Sequence, residues 1–144
     1  MTINPFHLAM PVHDLEQARL FYGGVLGFEE GRSSEKWVDF NFYGHQFVAH
    51  LNPTKTSPVL KSLVDGENVP VPHYGVILDW QDWKTLETRL KQQEINFIIE
   101  PTIRFKDQFG EQATMFFADY SGNALEFKSF KNQQELFSKD GNYG

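Results

Sequence analysis

Apolar and polar positions follow the same order twice along this chain: an apolar run, a helix-like period and further strand-like runs. In the first half, the mostly apolar run Phe6–Val12 predicts a strand. Asp14 follows as a candidate helix N-cap, apolar residues recur at helical spacing over Leu15–Leu26, and Gly27 is a candidate C-cap. The pattern therefore predicts a strand that leads into a helix.

Two strands and a linker are predicted next. The segment WVDFNFYG alternates like a strand, HQFVAHL is its predicted hairpin partner, and Tyr43–Gly44 at their junction is a candidate turn. A polar segment with four prolines between Asn52 and Pro72 follows. This composition predicts a linker, with a short helix near Val59–Val64.

The second half repeats the order of elements and the position of a histidine. His73–Leu78 predicts a strand, and a helix begins at Asp79 or Gln81. Three more strands are predicted, over residues 95–101, 113–119 and 124–130.

We therefore predict one domain over residues 1–144. It consists of module one (about 5–52), a linker (about 53–71), module two (about 72–130) and a polar tail (131–144).

Composition narrows the functions that this domain can have. The formal net charge is -6 and no Lys/Arg cluster exists, which argues against nucleic-acid binding. No run of 18 apolar residues exists, so we expect no membrane-spanning helix. We expect a cytoplasmic protein, because cysteine is absent and the N-terminus lacks a basic region followed by an apolar stretch. Any metal must then be held by imidazole nitrogen and carboxylate oxygen.

Two stretches carry a resemblance to a known family. HLAMPVHDLEQARLFYGGVLGFEE near the N-terminus and DYSGNALEFKSF near the end of the second half resemble the vicinal oxygen chelate superfamily. This superfamily includes glyoxalase I, bleomycin-resistance proteins, fosfomycin-resistance enzymes, methylmalonyl-CoA epimerase and extradiol dioxygenases. The resemblance covers roughly Phe6–Phe130. It implies an α+β fold of two βαβββ modules, whose curved mixed sheet surrounds a metal-binding cavity.

The resemblance also implies a metal site, because the superfamily carries its ligands on the first and last strands of each module. His7 matches the first strand of module one, His73 matches that of module two, and Glu126 matches the last strand of module two. A two-histidine, one-carboxylate set suits Fe(II), which we favour, and also Zn(II), Ni(II) or Mn(II). The carboxylate of Glu126 stands in an otherwise apolar strand, where it needs a partner.

The last strand of module one carries a Glu or Gln ligand in glyoxalase I, and here two counts disagree. Counting from the strand end gives His50. Counting from the turn glycine gives Val48, because Val48 follows Gly44 by the same number of residues as Glu126 follows Gly122. With Val48 there, three protein ligands remain, as in extradiol dioxygenases. His50, on the same strand face, is then a candidate acid/base, and a fourth ligand is the alternative.

Other residues are candidates for substrate contact. In this fold the predicted loop that holds Arg104 and Lys106 often forms one wall of the active-site mouth, where Arg104, or alternatively Lys106, can bind a substrate carboxylate. Phe40 and Phe116 are candidate core or pocket-wall residues. His13, just before the helix cap, is expected to be solvated.

The resemblance and the candidate ligands predict a metal-dependent dioxygenase of the extradiol type that acts on a small, catechol-like substrate. A glyoxalase-like lyase or isomerase that works through an enediolate is the first alternative, weakened by the missing Glu or Gln. A non-enzymatic ligand-binding protein of the bleomycin-resistance type is the second, weakened by the retained ligand set. The resemblance also implies a homodimer.

Overall fold

The computed structural model describes residues 3–55 and 69–139. Its contacts group the chain into two compact units. Unit 1 comprises Met1–Leu60 and Asp119–Asn123, and unit 2 comprises Lys61–Ala118 and Ala124–Gly144. Each unit contains one four-stranded mixed sheet, which confirms the predicted fold class. The short helix predicted near Val59–Val64 lies outside the described residues.

The sheet of unit 1 has the strand order β1-β4-β3-β2. β1 pairs with β4 in parallel, and the other two pairings are antiparallel. Tyr43 and Gly44 form the predicted hairpin turn, both with positive φ (51° and 90°), the conformation that two-residue hairpins require. The strands are β1 (His7–Val12), β2 (Glu30–Ser33), β3 (Trp37–Phe42) and β4 (His45–Leu51).

A helix covers one face of this sheet. α1 (Leu15–Ala18) continues as a π-helical segment (Arg19–Val25), and the Asp14 carboxylate caps it by accepting from the Gln17 N–H. Tyr22, inside that segment, packs its ring 4.4 Å from the ring of Phe47 on β4. Because side chains alternate along a strand, the neighbours of Phe47 on β4 point to the opposite face, away from the helix.

The sheet of unit 2 has the order β5-β8-β7-β6, with β5 parallel to β8. The helix α2 (Trp80–Gln92) begins at the N-cap Asp79, and its buried Trp83 donates from Nε1 to the carbonyl oxygen of Phe127 at 2.8 Å. The strands are β5 (His73–Tyr74), β6 (Phe97–Arg104), β7 (Gln112–Ala118) and β8 (Ala124–Phe130), and a 3₁₀ turn (Gln133–Glu135) follows.

One predicted strand was wrong in length, and one strand was missed. The run His73–Leu78 forms a strand only over its first two residues, because the chain leaves the ladder at Gly75 and returns as an isolated bridge at Ile77. β2 was not predicted, since its four residues are all exposed and show no alternation of apolar and polar positions. No helix among the described residues is long and apolar enough to cross a membrane.

The turn between β7 and β8 belongs to unit 1 rather than to the sheet that it connects. The carboxylate of Asp119 accepts from the Tyr22 hydroxyl at 2.7 Å. The Asn123 side chain donates to the Pro11 carbonyl oxygen at 2.8 Å. His13 is half-buried, and its Nδ1 atom lies 2.7 Å from Ser121 Oγ. The prediction that His13 is solvated was therefore wrong.

Candidate metal centre

His73 and Glu126 form a close pair in unit 2. His73 opens β5, and Glu126 lies at the middle of β8, the parallel partner of β5. The two atoms His73 Nε2 and Glu126 Oε1 are 3.2 Å apart, and the side chains are 28% and 16% exposed. Two of the three residues that the sequence indicates as metal ligands are therefore adjacent.

A hydrogen bond at the other ring nitrogen fixes the position of the His73 proton. His73 Nδ1 lies 2.6 Å from the carbonyl oxygen of Pro70, and a carbonyl oxygen can only accept. Nδ1 therefore carries a hydrogen. In the neutral imidazole, the lone pair of Nε2 then faces the lone pairs of the Glu126 carboxylate. Either a proton on Nε2 or a metal cation makes this contact attractive, so the donor set fits a divalent ion.

The second oxygen of Glu126 is already engaged. Thr114, a buried residue of the neighbouring strand β7, donates its hydroxyl hydrogen to Glu126 Oε2 at 2.5 Å. This hydrogen bond leaves Oε1 as the oxygen that faces His73. Phe116, opposite Glu126 in the β7–β8 ladder, places its ring edge-to-face against the His73 imidazole with centroids 5.1 Å apart. The candidate substrate-contact residue Phe116 thus borders the candidate ligand pair.

The third candidate ligand, His7, is exposed in unit 1 and opens β1. Its Nδ1 atom lies 2.7 Å from Oε1 of Gln46, which is its direct partner on β4. Gln46 Nε2 donates to Oδ2 of Asp39 on β3 at 3.1 Å, and Asp39 is buried. Sequence reasoning missed Gln46 and Asp39. The sequence pattern does not single them out, because β3 also carries Asn41 and β4 also carries His45 and His50.

The strand registers decide which residue of β4 corresponds to Glu126. The first residue of β1 lies opposite Gln46, whereas the first residue of β5 lies opposite Ala124. Glu126 lies two residues after Ala124. The residue two positions after Gln46 is Val48, an aliphatic side chain. The register thus agrees with the count that places Val48, and not His50, at this position.

The remaining candidate residues have different environments. His50 is exposed near the end of β4, on the same strand face as Val48. Arg104 is exposed at the end of β6, where its guanidinium lies over the ring of Phe105, 5.3 Å from the centroid. Phe40 is 2% exposed and packs against Tyr22 in the core of unit 1.

The described residues do not bring a full ligand set together. Within 3–55 and 69–139, no three or more His, Asp or Glu side chains form a group that could hold a metal ion. What these residues present is the His73–Glu126 pair in unit 2 and the hydrogen-bonded His7 in unit 1.

Comparisons with a family model and with solved structures point to the same superfamily. The family model of the Glyoxalase/Bleomycin resistance protein/Dioxygenase superfamily matches residues 4–127. A solved structure from Alicyclobacillus acidocaldarius, described as a glyoxalase/bleomycin resistance protein/dioxygenase, is 30% identical with a TM-score of 0.76. That alignment covers 93% of this chain and 96% of the other chain.

Two further solved structures share the fold at lower identity. A glyoxalase/dioxygenase from Nostoc punctiforme is 19% identical, with a TM-score of 0.66 and coverage of 90% and 92% of the two chains. The genomically encoded fosfomycin resistance protein FosX from Listeria monocytogenes is 16% identical, with a TM-score of 0.64 and coverage of 94% and 98%. No curated protein matches the sequence.

Proposed function

Because this chain belongs to the Glyoxalase/Bleomycin resistance protein/Dioxygenase superfamily, we propose that it is an enzyme whose His7, His73 and Glu126 hold one divalent metal ion. The observation that carries the proposal is the 3.2 Å contact between His73 Nε2 and Glu126 Oε1, together with the hydrogen bond that His73 Nδ1 donates to the Pro70 carbonyl oxygen. A metal cation makes this contact attractive without any change at Nδ1. His7 supplies the third donor, from the same chain or from a second copy in a homodimer.

The reaction that we favour rests on the number of ligands. An ion held by three protein side chains supplies Lewis acidity and open coordination positions for a substrate with two neighbouring oxygens. Val48, at the position that corresponds to Glu126, has no donor atom, which favours three ligands over four. We therefore favour Fe(II) and the ring cleavage of a catechol-like substrate, in which both atoms of O₂ enter the product.

The chain's own residues have separate roles in this proposal. His50 accepts a proton from a substrate hydroxyl and returns it to the product, since its imidazole is exposed on the Val48 face of β4. Arg104 binds a substrate carboxylate with its exposed guanidinium. Phe116 forms an apolar wall beside His73, while Phe40 supports the opposite side of the unit 1 sheet.

A homodimer is part of the same proposal. β1 forms one edge of the four-stranded sheet of unit 1. An edge strand presents unpaired backbone groups that a second copy can pair with. Light scattering after size-exclusion chromatography would give the mass of a dimer, and a monomer at all concentrations would contradict this part.

Metal binding is tested first, in protein stripped with a chelator. Calorimetric titration with Fe(II) under argon, and with Mn(II), Ni(II) and Zn(II), should give one site per chain. His7→Ala, His73→Ala and Glu126→Ala should each weaken binding by more than the roughly 10- to 100-fold typical of losing a ligand's hydrogen-bond partner. His45→Gln is the matched control, because His45 accepts from the Phe6 N–H and is not a candidate ligand. Unchanged affinity in all three variants would overturn the site.

The reaction is tested with the Fe(II)-loaded protein. Adding a catechol and then O₂ should consume O₂ in proportion to catechol and yield a yellow ring-cleavage product. Metal binding without O₂ uptake, but with proton exchange at the carbon next to a carbonyl, would favour the lyase or isomerase alternative. Tight binding of an aromatic ligand without metal would favour a binding protein.

A further inference from the structure

The side-chain contacts of His7 continue beyond its first partner. A row of two hydrogen bonds connects His7 on β1 to Gln46 on β4, and Gln46 to Asp39 on β3. The row lies on the face of the unit 1 sheet that points away from the helix, because Phe47 packs against the helix and Gln46, its neighbour on β4, points to the other face. No step of the proposed reaction uses Gln46 or Asp39, so their arrangement calls for a separate explanation.

The orientation of the Gln46 amide follows from Asp39. A carboxylate accepts hydrogen bonds and does not donate them, so the NH₂ group of Gln46 must face Asp39 Oδ2, at 3.1 Å. The carbonyl oxygen of the same amide then faces His7 Nδ1, at 2.7 Å. Because an amide oxygen can only accept, Nδ1 must carry the hydrogen. In the neutral ring, Nε2 is then the nitrogen with a free lone pair.

The burial of Asp39 allows its carboxylate to set this direction. It is 7% exposed, so its carboxylate has little access to water. Arg32 adds an ion pair at 3.6 Å, but its own side chain is 79% exposed, so this contact contributes little. The backbone also holds Gln46 beside His7, because the Gln46 N–H donates to the carbonyl oxygen of Phe6, the residue before His7, at 2.9 Å.

From this geometry we propose that Gln46 and Asp39 are positioning residues that hold His7 in its Nδ1–H tautomer and present Nε2 as a donor atom. His73 reaches the same tautomer through the Pro70 carbonyl oxygen, since its strand partner is Ala124, which has no hydrogen-bonding side chain. The two histidines thus use different partners to expose the same ring nitrogen. The link to metal binding rests on the proposed function, whereas the tautomer itself does not.

The tautomer is measurable in the metal-free protein. At pH 8, where an ordinary imidazole is neutral, long-range ¹H–¹⁵N correlation spectra separate the protonated from the unprotonated ring nitrogen. The wild-type protein should show His7 as Nδ1–H. Gln46→Leu should move it toward Nε2–H, whereas Gln81→Leu, on the exposed first turn of α2, should leave it unchanged. An Nε2–H form in the wild type, or no change in Gln46→Leu, would overturn the proposal.

Exchanging the two partners provides a rescue. Gln46→Glu alone brings two carboxylates together, and their repulsion should destabilise the native protein and move the side chain at position 46 away from His7, so that both tautomers occur. Combined with Asp39→Asn, the new amide can donate to Glu at position 46, whose other oxygen again accepts from His7. The double variant should therefore recover the Nδ1–H form. Failure of the double variant, while it remains folded by circular dichroism, would contradict the relay.

Metal titration separates this inference from the proposed function. If the wild type binds metal, Gln46→Leu should weaken its affinity by roughly 10- to 100-fold, and the double variant should restore most of it. Equal affinity in wild type and Gln46→Leu would contradict the positioning role. If no metal binds to the wild type but the tautomer follows Gln46, the proposed function fails and the hydrogen-bond relay stands.

Discussion

A Cβ atom added at Gly75 would lie 1.6 Å from the carbonyl oxygen of Glu126. No side chain fits at such a distance, so the chain after β5 can approach β8 this closely only with glycine. The contact lies two residues after His73 and directly at the backbone of Glu126. It therefore helps to place the two candidate ligands next to each other.

Gly75→Ala should lower the free energy of unfolding by about 3 kcal/mol or more, because the backbone at Glu126 cannot yield as a flexible side chain would. Urea denaturation followed by circular dichroism measures the change. Gly24→Ala is the control, since a Cβ there meets nothing within 4 Å, and its effect should stay within about 1 kcal/mol. Equal effects of the two substitutions would show that the close contact is not required.

Tyr22→Phe should destabilise unit 1 through the buried Asp119. The carboxylate accepts from the Tyr22 hydroxyl at 2.7 Å, and from the Ser121 and Asn123 backbone N–H groups. Losing one hydrogen bond to a buried charged group should lower the free energy of unfolding by about 2 kcal/mol. Denaturant titration gives the value.

Asp119→Ala should cost more than Tyr22→Phe, because it leaves several buried donors without an acceptor. Tyr120→Phe is the matched control, since Tyr120 is 40% exposed and belongs to the same turn. A loss in Tyr120→Phe as large as in Tyr22→Phe would mean that the Tyr22 hydroxyl has no special part in stability.

Most of the element order could be predicted from the sequence because it depends on local patterns, whereas the candidate ligand pair came from the resemblance to the superfamily, which carries ligands on the first and last strands of each module. The predicted strands HQFVAHL and ALEFKSF match β4 and β8 residue for residue, and Asp14 caps α1 as predicted. The count from Gly44 to Val48 agrees with the strand register, since both hairpins place the same number of residues after their turn glycine.

The partners of the candidate residues could not be predicted, because they come from distant parts of the chain. Gln46 contacts His7 across 39 residues, and Ser121 contacts His13 across 108 residues. A pattern of apolar and polar positions shows which face a side chain occupies, but it does not show which polar side chain it meets there. The strand break at Gly75 was missed for the same reason, since its cause is the Glu126 backbone.

His50→Ala should lower turnover by at least about 100-fold while the metal affinity stays within about twofold, if His50 acts as the acid/base. Its exposed position beyond Val48 on β4 supports a role toward the substrate rather than toward the metal. Calorimetry and O₂ uptake by the Fe(II)-loaded protein measure the two quantities. Lost metal affinity would instead make His50 a fourth ligand, and unchanged turnover would remove it from the mechanism. His45→Gln serves again as the imidazole control.

Arg104→Gln should raise KM for catechols that carry a ring carboxylate by about tenfold and leave kcat unchanged, because the guanidinium contributes to binding and not to the chemical step. Unsubstituted catechol should show no change in KM. Lys106→Gln is the comparison, as it removes a positive charge from the exposed turn that follows β6. Equal changes for both substrates, or for both variants, would assign the effect to general charge rather than to Arg104.

Val48→Glu tests the register argument most directly. The strand registers give Val48 the place in unit 1 that Glu126 holds in unit 2, so a carboxylate there should become a fourth ligand. The affinity for Zn(II) or Ni(II) should rise by about tenfold, since both ions accept carboxylate oxygen and imidazole nitrogen together.

The same substitution should lower O₂-dependent turnover by at least about tenfold, because a fourth protein ligand takes a coordination position that substrate or O₂ needs. Asp39 lies directly opposite Val48 on β3, so the new carboxylate should lower the free energy of unfolding of the metal-free protein, and bound metal should restore it. Val48→Leu changes bulk without adding a donor, and it should leave metal affinity unchanged. If Val48→Glu behaves like Val48→Leu in both assays, the correspondence with Glu126 holds for the backbone but not for the metal site.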